Sequence, residues 1–318
     1  MKLVTIDVCA GGMPGAILRS GEVLHLPRAA QAGTVEAWLP DSTVGILSAG
    51  KAGLTVVRQI VERVEGMSEA SRQRLRAAGT LTGEGTRLLA PVPRPRLVVA
   101  AGLAYRSHLA EMAGTPAPSH PTGFMKSPNS IAAPDADIHL PLDADGHVDY
   151  EGELAVVFGS TCHAVPRERA LDHVAGYTIA NDISARDWVR AVWEAKAPWE
   201  ARLSWEVNIM GKQFSSFTPL GPALLTADEV PDPAALHLTT RLNGEVMQSA
   251  PLSDLIFDLG TTIAHFSRWY TFEPGDVLLT GTPAGVGVGR KPPVFMRAGD
   301  VVDITVSGIG TLSNTIRR

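Results

Sequence analysis

The chain has 318 residues, with 28 Lys and Arg against 33 Asp and Glu, which gives a formal net charge of −5 at pH 7. No basic cluster is longer than a triplet, which argues against a nucleic-acid or membrane-surface partner and favours a small-molecule ligand. No apolar run reaches the roughly 18 to 20 residues of a membrane span. The N-terminus MKLVTIDVCAGG reads as a strand and a glycine turn, not a signal peptide, so we expect a cytoplasmic protein. Cys9 and Cys162 have no metal-binding spacing and are predicted to be inert thiols.

The first 90 residues are predicted to form a small α/β domain. GAILRSGEVLHL indicates a hairpin. Apolar residues recur at helical spacing between Gly53 and Gly66 and predict a core-facing helix, namely Leu54, Val57, Ile60, Val61 and Val64. APVPRPRLVVAAG then supplies a proline-stiffened connector before a new strand. We therefore predict a domain boundary there, dividing the chain into 1–90 and 91–318.

Short strands and turns dominate the chain beyond residue 91. The predicted strands are LVVAAG, ELAVVFG, YTIAND, LHLTTRL, GDVLLTG and DVVDITVSG. Asn243-Gly244 is a strong two-residue hairpin signal. Few helices are expected among them, and the best candidates are 166–174 and 253–270. Because strands and helices do not alternate regularly, we predict a β-rich α+β fold and not a doubly wound parallel sheet.

Two glutamates stand at the mouth of a hydrophobic strand in VDYEGELAVVFG. Glu151 and Glu153 share a face, roughly 6 to 7 Å apart, because strand side chains alternate. Alone, the pair is compatible with a solvated edge, a general acid/base pair or half of a metal site. GYTIANDISARD adds Asp182 at the end of a second apolar strand. Three carboxylates brought together would repel without a cation, and oxygen ligands suit Mg²⁺, Mn²⁺ or Ca²⁺.

Other candidates for chemistry are weaker. His108 and Glu111 are one helical turn apart, so the carboxylate can orient the imidazole, although a surface pair is the commoner interpretation. Lys212 precedes an aromatic and a run of small hydroxyl residues, although a surface lysine is the default. Nucleophile-elbow, HExxH and Walker A motifs are absent. The run GVGVG, 285–289, follows a strand, but prolines stand where a dinucleotide-binding helix would begin.

Eight segments, in order between residues 98 and 314, resemble the fumarylacetoacetate hydrolase family. They are GLAYRSHLAE, FMKSPNSI, VDYEGELAVVFG, GYTIANDISARD, GKQFSSFTPLGP, RLNGEVMQ, LLTGTPAGVG and RAGDVVDITVSGIGTLSN. The resemblance implies a mixed β-roll fold, usually a homodimer, with Mg²⁺ or Mn²⁺ held by a Glu-x-Glu pair and a later Asp. The matching positions here are Glu151, Glu153 and Asp182.

The resemblance also implies roles for residues around the metal. His108 and Glu111 match a pair that activates water, on a segment that becomes ordered over the ligand as a lid, and Lys212 matches a lysine near the developing oxyanion. The implied substrate contacts are Tyr105, Arg186 and Thr282. In the family the metal chelates the 2-keto acid end of a substrate that carries a second ketone.

One segment departs from the family pattern. Val189 stands where many relatives have a glutamine that helps to hold substrate. The following stretch carries Trp193, Trp199 and Trp205, which we interpret either as core or dimer anchors or as walls of a bulkier, more apolar substrate pocket. Val189 has no side-chain amide with which to make the contact expected of the glutamine.

The sequence thus predicts a magnesium-dependent hydrolase that cleaves a carbon–carbon bond in a β-diketo acid of the acylpyruvate or fumarylpyruvate type, in the catabolism of an aromatic compound. Alternatives at the same metal site are an isomerase or decarboxylase acting on a 2-hydroxy-dienedioate or oxaloacetate, or a hydratase of enoic acids. A non-catalytic keto-acid binding protein would need the three acids but not His108 and Glu111.

Overall fold

The structure, a computed structural model, describes residues 1–32, 38–83, 85–112, 115–142, 146–188 and 194–318, with the backbone alone for 203–208. Helices in these residues are Leu26–Gln31 (α1), Thr43–Ser48 (α2), Gly50–Glu65 (α3), Glu69–Ala77 (α4), Arg106–Glu111 (α5), Arg167–Ala170 (α6), Pro198–Met210 (α7) and Leu259–Phe266 (α8). None of them is long and apolar enough to span a membrane.

Strands are the larger part of the architecture. They are Lys2–Ile6 (β1), Met13–Ile17 (β2), Val23–His25 (β3), Leu81–Thr82 (β4), Leu88–Leu89 (β5), Val98–Gly102 (β6), Thr122–Lys126 (β7), Ile131–Ala132 (β8), Ile138–His139 (β9), Val148–Asp149 (β10), Gly152–Phe158 (β11), Val174–Asn181 (β12), Ser184–Ala185 (β13), Thr218–Thr226 (β14), His237–Leu242 (β15), Glu245–Pro251 (β16), Val277–Leu279 (β17), Val301–Val306 (β18) and Gly310–Arg317 (β19).

A 12-stranded mixed sheet runs through the described residues in the order β4-β3-β2-β1-β14-β12-β11-β17-β6-β7, with β5 on β1 and β8 on β14. A 5-stranded sheet, β16-β15-β18-β19-β9, and the pair β10-β13 complete the strand pairing in this part of the chain. Most pairings are antiparallel, and β6 runs parallel to β17. The predicted β-rich α+β class is confirmed.

The central strand β11 is buried on both faces. Leu154, Val156 and Phe158 belong to a core shared with β15, β18 and β19. Ala155 and Val157 belong to a second core shared with α1, α2 and α3. This double burial is why ELAVVFG reads as a continuous apolar run and not as an alternating one. Glu153 has the phase of Ala155, so its side chain leaves β11 on the helix-covered face.

Several local predictions are confirmed. β2 and β3 form the N-terminal hairpin, and α3 buries Val57, Ile60 and Val64. Asn243 and Gly244 join β15 to β16 with φ angles of 51° and 83°, the left-handed conformation that a tight two-residue hairpin requires.

Both helices predicted in the second part of the chain are too long. Residues 166–174 contain only α6 and a 3₁₀ turn at Leu171–His173. Within 253–270 a 3₁₀ turn at Leu252–Asp254 precedes α8, and the α-helix starts only at α8 because the Asp258 side chain accepts the amide of Thr261 at 2.7 Å. The apolar pattern continues through this cap, which is why it overestimates the helix.

The strands on the two sides of residue 90 belong to one sheet, since β1 pairs with β14 with Leu3 opposite Leu224. The division into domains 1–90 and 91–318 stays a prediction.

Candidate metal centre

The antiparallel pair β11 and β12 brings the predicted acids together. Gly152 at the start of β11 lies opposite Asn181 at the end of β12, so Glu151 and Asp182 stand just outside the same end of the ladder. The amide of Asp182 donates to the Glu151 carbonyl oxygen at 2.9 Å, and the amide of Glu151 donates to Asn181 Oδ1 at 2.9 Å. The ends of the two strands are thus held together by backbone and side-chain hydrogen bonds.

Three carboxylates converge at this point. One oxygen from each of Glu151, Glu153 and Asp182 lies within 4.8 Å of the others, and the residues are only 7%, 1% and 1% exposed. Glu153 Oε2 accepts the amide of Gly281 at 2.7 Å. Burial raises the pKa of Glu153 well above its usual value, and the charges on Asp182 and Glu151 raise it further. Burial and the two neighbouring acids therefore disfavour the charged form of Glu153 unless a cation binds beside it.

Three buried or half-buried cations surround the acids. Lys212 Nζ donates to Glu151 Oε2 at 2.6 Å and to Asp182 Oδ2 at 2.7 Å. Lys126 Nζ donates to Asp182 Oδ1, and also to the Phe217 carbonyl oxygen at 3.2 Å. Arg186 Nη2 donates to Glu151 Oε1 at 2.6 Å. Two of the three carboxylates are therefore ion-paired.

These pairs set the ionisation of Glu151. Burial raises its pKa, but Lys212 and Arg186 outweigh burial and lower it to about 2, with a smaller contribution from His108. Among the described residues, no Lys or Arg side chain bonds to Glu153. An all-oxygen donor set with one unpaired buried carboxylate fits a divalent cation such as Mg²⁺, Mn²⁺ or Ca²⁺.

Helix α5 places the second predicted group beside the acids. His108 Nδ1 and Glu111 Oε1 are 2.6 Å apart, and Glu111 Oε2 accepts the amide of Gly285 at 2.9 Å. The other end of α5 is fixed by Asp254, which accepts the amide of Ser107 at 3.1 Å. Glu111 therefore orients the imidazole and leaves His108 Nε2 as the ring nitrogen that can exchange a proton.

The glycine run 285–289 serves this arrangement. The amides of Gly287 and Val288 donate to the two carboxylate oxygens of buried Asp149, at 2.7 and 3.1 Å. Asp149 in turn accepts Arg186 Nε at 2.9 Å. The amides of this run are thus bonded to protein carboxylates, where those of a phosphate-binding loop would face a phosphate.

The three predicted substrate contacts lie in different environments. Arg186 reaches both Asp149 and Glu151, as described above. Thr282 is buried, and its hydroxyl donates to the Gly152 carbonyl oxygen at 2.9 Å. Tyr105 is fully buried, and burial followed by the charge of Glu153 raises its pKa. Direct contact of these side chains with a substrate stays a prediction.

The tryptophan-rich segment is only partly described. Val189 and Trp193 lie outside the described residues, as does the side chain of Trp205. Trp199 is 64% exposed, and Trp188 lies edge-on to Phe214 with ring centroids 6.2 Å apart. Whether these residues line a substrate pocket stays a prediction.

Sequence reasoning missed three polar residues of the centre. Asp149 has the same strand phase as Glu151 and Glu153, so the period-two pattern contained the signal. Lys126 lies in FMKSPNSI, where no local pattern distinguishes it from a surface lysine, because its burial depends on the packing of β7 beside β6. Gln248 follows the Asn243-Gly244 turn and carries no sequence signal of its own.

Comparison with known proteins places this geometry in context. Residues 97–317 match the family described as fumarylacetoacetate (FAA) hydrolase C-terminal. The oxaloacetate tautomerase YisK of Bacillus subtilis (strain 168) is 34% identical over 319 aligned positions, covering 99% of this chain and 100% of that protein.

Two solved structures are similar over the whole chain. A fumarylacetoacetate hydrolase from psychrophilic Exiguobacterium antarcticum has a TM-score of 0.76 and 32% identity, covering 100% of this chain and 99% of that one. Maleylpyruvate hydrolase from Sphingobium sp. SYK-6, in complex with manganese(II) and pyruvate, has a TM-score of 0.70 and 26% identity, with the same coverage.

Proposed function

The chain belongs to the fumarylacetoacetate hydrolase family, and from this premise we propose that it is a divalent-metal enzyme that interconverts the enol and keto forms of oxaloacetate. The observation that carries the proposal is the convergence of Glu151, Glu153 and Asp182 next to the His108–Glu111 pair. The likeness to an oxaloacetate tautomerase over 99% of the chain supports the choice of substrate.

Tautomerisation moves one proton between C3 of the substrate and the oxygen on C2. A bound Mg²⁺ or Mn²⁺, held by the three acids, would withdraw electron density from the 2-oxo acid group and make the C3 proton more acidic. His108 Nε2 takes or returns that proton, and Glu111 stabilises the imidazolium that forms. Lys212 supplies positive charge where negative charge develops on the C2 oxygen.

The test follows the ultraviolet absorbance of enol oxaloacetate after dilution into buffer. We expect the purified protein with Mn²⁺ to accelerate the decay beyond Mn²⁺ alone, and EDTA to abolish the acceleration. His108→Ala should still bind Mn²⁺ and oxalate yet lose on the order of 10² to 10⁴ in rate. Decay at the rate of Mn²⁺ alone would remove the tautomerase assignment.

A second candidate is hydrolysis of an acylpyruvate, favoured by the likeness to a maleylpyruvate hydrolase that was crystallised with manganese(II) and pyruvate. The same imidazole would then take a proton from water. Incubation of acylpyruvates with apolar or aromatic acyl groups in ¹⁸O-water separates the two functions. One heavy oxygen in the released acid supports hydrolysis, whereas enol decay without acid release supports tautomerisation alone.

A further inference from the structure

Gln248 lies behind the metal-ligand pair. It is a residue of β16 and only 1% exposed. Its side chain packs against β11, on the face opposite to the side chains of Glu151 and Glu153. Gly152 faces it. A Cβ atom on Gly152 would lie 3.2 Å from Gln248 Oε1 and 2.2 Å from Thr240 Oγ1. A side chain at position 152 would therefore displace the Gln248 amide or the Thr240 hydroxyl.

The side-chain amide of Gln248 and the hydroxyl of Thr282 bond to the backbone N–H and the carbonyl oxygen of Gly152. Gln248 Oε1 accepts the Gly152 amide at 3.0 Å, and Gln248 Nε2 donates to Thr282 Oγ1 at 2.7 Å. Thr282 Oγ1 donates to the Gly152 carbonyl oxygen at 2.9 Å. A further bond from Gln248 Nε2 to the Pro283 carbonyl oxygen, 2.9 Å long, fixes the amide orientation. The N–H and carbonyl of Gly152, the Gln248 amide and the Thr282 hydroxyl thus form a closed ring of hydrogen bonds.

We propose that Gln248 is a positioning residue that fixes the backbone between the metal ligands Glu151 and Glu153. Gly152 is the first residue of β11, so at this point the side chain of Gln248 holds the backbone that carries both carboxylates. The inference rests on the proposed metal site. Residues that hydrogen-bond to metal ligands typically contribute about 10- to 100-fold in metal affinity, and we expect a similar effect from one that holds the backbone between two ligands.

The test compares Mn²⁺ affinity, measured by electron paramagnetic resonance of free Mn²⁺, with the melting temperature in EDTA. Gln248→Met removes all three bonds at similar volume, Thr282→Val removes the hydroxyl, and the double variant combines them. The matched control is Asn314→Leu. Asn314 is also buried, and its amide donates to the carbonyl oxygens of Ala133 and Ala136, away from the acids.

We expect each site variant to bind Mn²⁺ about 10- to 100-fold more weakly. The double variant should lose no more than the weaker-binding single variant, because the two side chains act as one ring. Asn314→Leu should lower the melting temperature and keep the wild-type affinity.

Wild-type affinity in both Gln248→Met and Thr282→Val would overturn the inference and leave the metal site standing. The same holds if Gln248→Met lowers only the melting temperature. A wild-type protein that binds no Mn²⁺ would overturn the proposed metal site and this inference together.

Discussion

At the scale of single residues, Glu153 is the acid of the three to which no Lys or Arg side chain in the described part of the chain bonds. Its carboxylate accepts one backbone amide, whereas Glu151 and Asp182 each bond to side-chain cations. Burial, followed by the charges of Asp182 and Glu151, raises the pKa of Glu153 and so disfavours its charged form. A divalent cation bound among the three acids would favour the charged form of each, so the affinity for metal depends on all three charges.

Asp182→Asn removes one of these charges without changing the size of the side chain. We expect Mg²⁺ and Mn²⁺ affinity to fall by more than the ~10- to 100-fold that outer-shell changes cost, because a direct ligand loses its negative charge. Calorimetric titration measures this. Asp276→Asn is the matched control, since Asp276 is a buried acid that pairs with Arg96. Unchanged affinity in Asp182→Asn would remove Asp182 from the metal site.

A substitution at Gly289 tests the His108–Glu111 pair without changing the three carboxylates of the metal site. A Cβ atom there would lie 3.0 Å from Glu111 Oε2 and 3.1 Å from its Cδ, so Gly289→Ala should displace the carboxylate that orients His108. We expect a loss of rate smaller than the ~10²- to 10⁴-fold of a missing general base, with metal affinity unchanged. Gly83→Ala is the control, because nothing lies within 4 Å of its added Cβ. Equal rates in the two variants would show that Glu111 tolerates displacement.

At the scale of elements, the predictions that succeeded depend on local chemistry. The Asn243-Gly244 hairpin and the acids at the ends of β11 and β12 follow from side-chain preference and strand phase. The ion pairs of Lys126 and the ring around Gln248 join strands that are distant in sequence, so no local pattern reports them. The overlong helix at 253–270 failed for the opposite reason, because a single cap residue outweighs a long apolar pattern.

Helix α1 begins at a titratable cap. His25 is buried, and its Nδ1 accepts the amide of Arg28 at 3.5 Å, which requires a neutral ring nitrogen. Burial, followed by the charge of Arg28, lowers the pKa of His25 below its usual 6.5. Above that pH both folded and unfolded chains are neutral at this residue. As the pH falls below it, the unfolded chain binds the proton first and stability decreases.

We therefore expect the melting temperature to fall as the pH drops through about 6.5, with a smaller fall in His25→Asn, which keeps a capping acceptor but cannot titrate. His237→Asn changes an exposed histidine and is the control. Parallel pH profiles for the wild type and His25→Asn would contradict the role assigned to this cap.

At the scale of the whole molecule, the first 90 residues complete a core that the rest of the chain begins. Leu3, Leu24 and Ile60 pack in one cluster with Ala155 and Val157 of β11. In the same region β1 covers an edge of β14, with Leu3 opposite Leu224. The strand that carries Glu153 is thus supported, on its helix-covered face, by the N-terminal part of the chain.

Removing residues 1–90 tests whether the predicted boundary separates autonomous domains. Each large apolar side chain of the shared core contributes roughly 1.5–3 kcal/mol when buried, so losing several exceeds much of the roughly 5–15 kcal/mol that stabilises a protein. The uncovered edge of β14 also favours association. We expect residues 91–318 alone to aggregate in size-exclusion chromatography, and co-expression with residues 1–90 to restore a soluble complex that binds Mn²⁺. A monomeric 91–318 fragment with wild-type melting temperature and Mn²⁺ affinity would instead establish two independent domains.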